Sequence, residues 1–175
     1  AIRDIMKPDR IVIGEYDRRS GDALQAFYET FHGSSNCPPV LRTTLVNAEL
    51  IKYANNAFLA MKISFANMIA RLCQKLPGAD IVSVMDGVGL DKRIGRAFLN
   101  AGLGWGGSCF SKDLAALLKL GSDFKIDLPL VKATVEVNET QPFIAIDLAK
   151  RILGDLKGKK IAILGLSFKP NTDDI

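Results

Sequence analysis

The sequence of 175 residues lacks any apolar run close to the roughly 20 residues that a membrane-spanning helix needs. Residues 1–4 do not resemble the start of a secretory signal peptide. Cysteine is scarce, with three residues at wide spacing, which argues against a disulfide framework. These absences favour a protein of the reducing cytoplasm that makes no contact with a membrane.

Histidine occurs once, and no set of cysteine and histidine has the spacing of metal ligands, so the sequence predicts no metal site. The formal net charge of +4 is dispersed, with its densest run at residues 157–160. No basic stripe is interleaved with aromatic residues, which argues against nucleic-acid binding. The charge is either an ordinary solvated surface or a field that attracts anionic ligands such as nucleotides.

Residues 44–76 contain neither glycine nor proline, and Pro77 and Gly78 end the run. This stretch predicts one helix of about 32 residues, with Thr43 or Thr44 as its N-cap. Apolar residues surround much of its circumference, so we expect it to be buried on more than one face. It is therefore predicted to be the spine of a helical core that a second subunit completes.

The rest of the chain predicts a mainly α-helical fold. Short apolar strands are expected at residues 10–14 and 159–165, and the second resembles the strand that opens a nucleotide-binding α/β domain. No crossover helix follows it, so we expect the chain to be part of a larger protein. Helical patterns recur between loops: they occupy residues 21–32, 80–87, 91–99, 108–119 (with Ser108 as the cap) and 128–153.

The most informative stretch is residues 102–113, where four glycines within six residues precede Cys109. Glycine permits backbone conformations and close ligand approach that other residues forbid. The stretch is expected to deliver Cys109 to a helix start, where free N–H groups and a partial positive charge favour a thiolate and welcome anions. Cys109 is therefore a candidate nucleophile; the alternative is a small buried apolar side chain.

Four other residues are candidates for chemistry. Asp113 follows Cys109 by one helical turn, where a carboxylate can activate a water or orient a lysine. Lys52 and Asn56 share a helix face, either as a pair that stabilises an oxyanion or as a solvated lysine beside an incidental asparagine. Arg93 is either a surface residue or a contact to an anionic ligand. Three residues of reactive type receive only a structural interpretation: His32, Cys37 and Cys73.

Four segments, by their order and spacing, resemble the UDP-glucose/GDP-mannose dehydrogenase family of nucleotide-sugar dehydrogenases: residues 47–60, 91–95, 104–113 and 165–174. This resemblance covers nearly the whole chain. It implies an enzyme that oxidises a sugar alcohol to a uronic acid with NAD as the hydride acceptor. Members of the family dimerise through a central helical domain.

The resemblance also implies domain boundaries. Residues 1–42 would be the end of an NAD-binding Rossmann domain, residues 43–157 the central helical dimerisation domain, and residues 158–175 the first strand of a nucleotide-sugar-binding Rossmann-like domain. The family's N-terminal glycine fingerprint, its substrate-side threonine and glutamate, and an arginine expected soon after Asp174 are absent from the sequence. We therefore expect the chain by itself to be inactive.

The resemblance assigns catalytic roles. Cys109 would capture the aldehyde intermediate as a thiohemiacetal, which a second oxidation turns into a thioester that water cleaves. Lys52 and Asn56 would stabilise the oxyanions of these steps. Asp113 would assist proton transfer and hydrolysis.

Binding roles follow from the same resemblance. Arg93 would reach the substrate of the neighbouring subunit. Cys109 and Lys112 would border the nicotinamide, and Phe168 and Lys169 would line the substrate cleft. The loop at residues 100–106 would hold the sugar diphosphate through backbone N–H groups, with these residues in contact: Asn100, Gly102, Gly104, Trp105 and Gly106.

Several alternatives stay open at this stage. The sequence around Cys109 favours UDP-glucose, but GDP-mannose or a UDP-N-acetylhexosamine would use the same core. The chain alone could act only as a dimerisation module. A two-electron dehydrogenase of hydroxy acids, built on the same helical core without a covalent step, is a further alternative that the cysteine loop disfavours.

Overall fold

The computed structural model describes residues 5–167, and the fold is mostly helical. The chain divides into two compact units, Ala1–Ala54 and Asn55–Ile175. Among the described helices, none combines the length and hydrophobicity that a membrane crossing requires. The regular elements in chain order are β1 (Ile11–Glu15), α1 (Arg18–His32), β2 (Val40–Thr44), α2 (Leu45–Cys73), α3 (Ile81–Gly89), α4 (Ser108–Asp123) and α5 (Pro129–Leu153).

The first unit contains a strand–helix–strand arrangement. Strands β1 and β2 pair in parallel, with Ile11 opposite Val40, and α1 is the crossover that parallel pairing requires. Ile11 and Ile13 are buried on one side of β1. The predicted strand at residues 10–14 is confirmed with a shift of one residue, whereas β2 was not predicted, because its sequence lies where a loop and a helix cap were expected.

Arg42 of β2 fastens α1 to the strands. Its guanidinium donates to Glu15 of β1, with Nη2 and Oε2 2.5 Å apart, and to Asp22 of α1. The hydrogen bond to Asp22 is the largest influence that raises the pKa of Arg42 above its usual value. Gly21 leaves room for this ion pair, since a Cβ there would lie 1.8 Å from the Glu15 carboxylate.

Helix α2 has 29 residues, close to the predicted length. Thr44 is its N-cap, because the Thr44 hydroxyl accepts the N–H of Asn47 at 3.2 Å. In the second unit its buried side is built from small and polar residues. The opposite side carries an exposed apolar stripe, so only one of its faces is covered in the single chain; the stripe consists of Phe58, Phe65, Met68 and Leu72.

A compact apolar cluster joins α2 to the elements that follow it. Ala66, Met85 and Leu99 are buried together, and Ile81 and Val88 pack against them. Helix α3 begins beside this cluster; the carboxylate of its N-cap, Asp80, accepts the N–H of Ser83. The predicted helix at residues 80–87 is confirmed.

The predicted helix at residues 91–99 is wrong. These residues form turns, because Gly95 and Phe98 adopt positive φ values of 68° and 65°, which interrupt a right-handed helix. Lys62 of α2 stabilises the turn by donating to the carbonyl groups of Ile94 and Gly95.

The C-terminal part of the described chain confirms two helices and corrects two details. Helix α5 matches the predicted helix at residues 128–153 within one residue. Ser108 does not cap α4: the N-cap is Gly107, whose φ of 82° suits glycine, and Ser108 is the first helical residue. The predicted strand at residues 159–165 is not formed; its apolar side chains are exposed, and no described strand lies beside it to complete its hydrogen bonds.

Candidate active site

Cys109 is exposed in the first turn of α4. No side chain among the described residues caps this helix, and its first turn contains no acidic residue. The first N–H groups of a helix have no partner within it, and they carry the positive end of the helix dipole. The sulfur atom therefore lies where negative charge is favoured, as the sequence predicted.

Asp113 lies one turn after Cys109 on α4, but it is buried, with 2% of its surface exposed. The Asn56 side chain of α2 donates from Nδ2 to Asp113 Oδ2 at 2.6 Å. A buried carboxylate requires hydrogen-bond donors, and Asn56 supplies one. The structure thus brings together two of the predicted catalytic residues. Asp113 accepts one of the two N–H groups of the Asn56 amide.

Residues 100–107 form the glycine loop, which is held at two points by side chains from α2 and α5. At the first point, Gly102 N donates to Asn67 Oδ1 and Gly102 O accepts from Gln141 Nε2, each at 2.7 Å. At the second, Trp105 N donates to Asn138 Oδ1 at 2.7 Å, and Trp105 O accepts from Asn138 Nδ2 at 3.0 Å. Both backbone groups of two loop residues are therefore fixed.

These clamps decide which loop N–H groups a ligand can reach. The N–H groups of Gly102 and Trp105 are committed to side chains. Those of Leu103, Gly104 and Gly106 form no hydrogen bond to any residue that the structure describes. Gly104 has a φ of 110°, and a Cβ there would lie 2.5 Å from Asn138 Oδ1, so the clamp requires glycine at this position.

The side chain of Trp105 points into the second unit. Its indole N–H donates to Ser64 at 3.0 Å, and Ser64 in turn donates to the carbonyl of Thr134 at 2.9 Å. The indole meets the ring of Phe110 edge-on, with centroids 6.1 Å apart. Because its polar group is engaged, Trp105 anchors the loop and can offer a ligand only its ring surface.

Arg93 lies in the turn after α3, and its side chain is 88% exposed. It forms an ion pair with Asp91 at 2.6 Å. The hydrogen bond between them raises the pKa of Arg93 and lowers that of Asp91. Asn100 and Lys112 are also exposed.

Lys52 belongs to the first unit, where it is exposed on α2, and its ammonium lies 4.9 Å from the centre of the Tyr53 ring. Phe168 and Lys169 lie outside the described residues. No cluster of three or more histidine, cysteine, aspartate or glutamate residues that could hold a metal ion occurs between residues 5 and 167.

The sequence did not single out the residues that hold the glycine loop. They are polar side chains on two long helices, and the spacing of three or four residues between them was the available signal, since it places polar groups on one helix face. A buried polar residue at this spacing in an otherwise apolar helix indicates a specific partner. The residues missed in this way are Ser64, Asn67, Arg71, Asn138 and Gln141.

A cysteine at a glycine-led helix start, one turn before a buried carboxylate that is paired with an amide, is compatible with a nucleophilic thiol. The chain belongs to the UDP-glucose/GDP-mannose dehydrogenase family: residues 46–140, more than half of its length, match the family's central domain. The resemblance found in the sequence is thereby confirmed.

Several relatives match over the whole chain. UDP-glucose 6-dehydrogenase TuaD of Bacillus subtilis is 47% identical over 175 residues, which are 100% of this chain and 37% of TuaD. UDP-glucose 6-dehydrogenase AglM of Haloferax volcanii is also 47% identical, with 100% of this chain and 40% of AglM covered. The chain thus spans well under half the length of these curated relatives.

A solved structure agrees with them. The UDP-glucose dehydrogenase of Pyrobaculum islandicum superposes with a TM-score of 0.91 at 46% identity, covering 99% of this chain and 39% of that protein. UDP-D-ManNAc dehydrogenase of Pyrococcus horikoshii superposes with a TM-score of 0.73 at 24% identity, which extends the likeness of the fold.

Proposed function

We propose that the chain is the cysteine-bearing part of an NAD-dependent UDP-glucose 6-dehydrogenase, which oxidises UDP-glucose to UDP-glucuronate. The proposal is supported by relatives of that name at about 47% identity along the whole chain. It is supported also by the family match, which covers the residues around Cys109.

One observation carries the proposed mechanism: Cys109 is exposed directly after the clamped glycine loop, at a helix start that no described side chain caps. Oxidation of a primary alcohol to a carboxylate removes four electrons and passes through a reactive aldehyde. An enzyme of this kind must retain the aldehyde between the two oxidations. Covalent capture by a thiolate achieves this.

The C6 alcohol loses a hydride and its hydroxyl proton to give the aldehyde, and the Cys109 sulfur then bonds to C6 while the oxygen takes a proton. Loss of a second hydride from C6 and of the hydroxyl proton gives a thioester. Water adds to C6, the C–S bond breaks with the electron pair on sulfur, and the carboxylate leaves.

Asn56, Lys52 and Asp113 act on the oxygen and the protons in these steps. The Asn56 amide has two N–H groups; Asp113 holds one, and the other is assigned to the developing oxyanion. Lys52 is assigned to oxyanion stabilisation by the family resemblance. The buried Asp113 carboxylate is assigned to proton transfer and to activating the water that cleaves the thioester.

The glycine loop is the proposed binding site of the sugar diphosphate. Its N–H groups at Leu103, Gly104 and Gly106 form no hydrogen bond within the described chain, which suits an anionic ligand. Arg93, with its 88% exposed side chain, is assigned to the substrate of a neighbouring subunit. Further contacts to the substrate are assigned to Asn100, Phe168 and Lys169.

NAD accepts the hydride in each oxidation when it is bound. The residues at the start of α4 fit a dinucleotide at this edge: Cys109 and Lys112 are exposed, and no acidic side chain in the first turn would repel its phosphates. The parallel strands and the crossover helix between them support the assignment of residues 1–42 to the end of a Rossmann domain.

The family's helical domain suggests a homodimer, and the apolar stripe of α2 is the surface proposed for it. Phe58 and Leu72 are 57% and 53% exposed, and Phe65 and Met68 are exposed between them. Spacings of seven residues place Phe58, Phe65 and Leu72 in one row, the pattern of a helix that packs against another helix.

All three cysteines are free, which supports a reducing cytoplasm.

The decisive experiment supplies the protein, at its full natural length, with UDP-glucose, GDP-mannose and UDP-N-acetylhexosamines, and counts NADH formed per sugar. UDP-glucose is expected to be preferred, with two NADH for each sugar, because four electrons are removed in pairs. One NADH per sugar would indicate a two-electron dehydrogenase without the covalent step. Preference for another sugar would correct the substrate.

The 175-residue chain should be assayed beside it. We expect this chain to form dimers through the apolar stripe of α2. We expect no turnover, because the chain spans only 37% to 40% of the length of the relatives. Turnover by the chain alone would contradict that expectation and would show that the missing family motifs are dispensable.

A further inference from the structure

Gly102 is held from two helices at once. Its N–H donates to Asn67 of α2 and its carbonyl accepts from Gln141 of α5, with both distances 2.7 Å. The two bonds fix the orientation of both peptide groups that flank this glycine. The path of the chain into Leu103 and Gly104, whose N–H groups form no hydrogen bond within the described residues, is thereby set.

Arg71 dictates the orientation of the Gln141 amide. Arg71 Nε and Nη2 both donate to Gln141 Oε1, at 3.0 and 2.7 Å. Nη2 also contacts the carbonyl of Val137 and the hydroxyl of Thr140. Because the amide oxygen faces the guanidinium, the amide nitrogen faces Gly102 O, where a donor is required.

Asn67 occupies its position at an energetic cost. It is fully buried, and its Nδ2 has no hydrogen-bond partner among residues 5–167. A buried unpaired donor is unfavourable, so an apolar residue would suit the core better than this amide. The contribution of Asn67 is the hydrogen bond that its oxygen accepts from Gly102.

We propose that Asn67 and Gln141, the latter oriented by Arg71, are positioning residues for nucleotide-sugar binding. They hold the glycine loop in the conformation in which its N–H groups at Leu103 and Gly104 face the ligand. This inference rests on the proposed function, since it concerns the same substrate and the same loop.

The sharpest test is Gln141→Glu in the protein at its full natural length. A glutamate still offers Arg71 an acceptor oxygen, now as an ion pair in place of the neutral hydrogen bonds, but it presents a carboxylate oxygen, which cannot donate, to Gly102 O. The KM for UDP-glucose is expected to rise about tenfold or more, in line with the loss of one hydrogen bond and the repulsion that replaces it, while kcat changes less than about threefold. The melting temperature should stay close to that of the wild type.

Asn36→Asp is the matched control. Asn36 is exposed in the loop before β2, its side chain makes no hydrogen bond to the described residues, and the change from an amide to a carboxylate is the same. Its KM should remain within about twofold of the wild type. A purely structural role for Gln141 would lower the melting temperature and leave KM unchanged, and that result would overturn the proposal.

Hydrogen exchange of the substrate-free protein tests the clamp independently of turnover. In Asn67→Leu, which removes the acceptor, peptides covering residues 100–107 should exchange at least about tenfold faster than in the wild type. Unchanged exchange would overturn the proposal. If the wild type fails to oxidise any nucleotide sugar, the proposed function fails, whereas the exchange result still decides whether these side chains hold the loop.

Discussion

Asn56 and Asp113 are joined by a hydrogen bond of 2.6 Å between α2 and α4, and the carboxylate is buried. The bond ties the helix of the proposed nucleophile to the long helix. It also means that the two residues act as a unit, because changing either one alters the partner that the other faces.

Asp113→Asn should separate catalysis from stability. The substituted amide keeps the shape and can still accept from Asn56, so the protein should still fold. Loss of the carboxylate should lower kcat by about 10² to 10⁴-fold, the range typical of general acid–base groups. Steady-state kinetics with UDP-glucose and thermal unfolding measure both. A variant with wild-type kcat would remove Asp113 from the mechanism.

Cys109→Ser should stop net production of UDP-glucuronate in the full-length protein, because a serine hydroxyl is a much weaker nucleophile than a thiolate. Quenched wild-type reactions should contain a sugar adduct on Cys109, detectable by mass spectrometry, and the variant should contain none. Cys37→Ser is the control, since Cys37 lies in the loop before β2. An adduct on another side chain would refute the assignment.

Gly104→Ala should destabilise the protein by about 1–3 kcal/mol, since alanine at a φ of 110° is strained. The new Cβ would also lie 2.5 Å from Asn138 Oδ1 and displace the clamp on Trp105. Gly102→Ala is the comparison for stability, because a Cβ there meets nothing within 4 Å. Chemical denaturation of both variants checks the contrast, and equal stability losses would argue against it.

Acid should weaken the start of α3. The backbone N–H of Ser83, followed by the Ser83 hydroxyl, lowers the pKa of Asp80 below its usual value of 3.8. The ionised cap therefore contributes stability above about pH 4, and this contribution is lost as the pH falls through the folded-state pKa. Between about pH 6 and pH 2, the melting temperature should depend less steeply on pH for Asp80→Asn than for the wild type.

Asp147→Asn is the control for this acid effect. Asp147 is exposed on α5 and makes no hydrogen bond to the described residues. Its substitution should leave the pH dependence of the melting temperature as it is in the wild type. If the melting temperature of Asp80→Asn depended on pH as steeply as that of the wild type, the cap would contribute nothing to acid sensitivity.

Phe65→Glu should convert the proposed dimer to monomers. Phe65 lies at the centre of the apolar stripe of α2, and a buried unpaired carboxylate at a helix interface is strongly unfavourable. Sedimentation velocity at several concentrations measures the change. Phe124→Glu, the same substitution at a 70% exposed position after α4, should leave the dimer intact. A dimer that survives Phe65→Glu would exclude this surface.

Sequence patterns located the long helices well, because the absence of glycine and proline between residues 44 and 76 leaves few alternatives to a helix. They failed at residues 91–99, where Phe98 adopts a left-handed conformation that no local pattern requires. They failed also at residues 159–165, because a strand depends on a neighbouring strand that lies elsewhere in a chain.

The sequence predicted the part of the candidate site that depends on local features, and it missed the part that depends on long-range packing. Cys109 and Asp113 could be singled out as candidates because the glycines before the helix and the spacing of one helical turn are local features of the sequence. The residues that hold the loop, such as Asn67 and Gln141, are far from it in sequence, and each is an ordinary polar residue of a long helix. Only the packing of α2 against α5 makes them neighbours of Gly102.

All four bonds of the two clamps end on main-chain atoms of Gly102 and Trp105. The residue between them that carries a large side chain, Leu103, is 70% exposed and takes no part in those bonds. Position 103 can therefore be substituted without changing the backbone conformation of the loop. A small library of substitutions at position 103 would therefore vary the proposed sugar preference while the supporting framework stays the same.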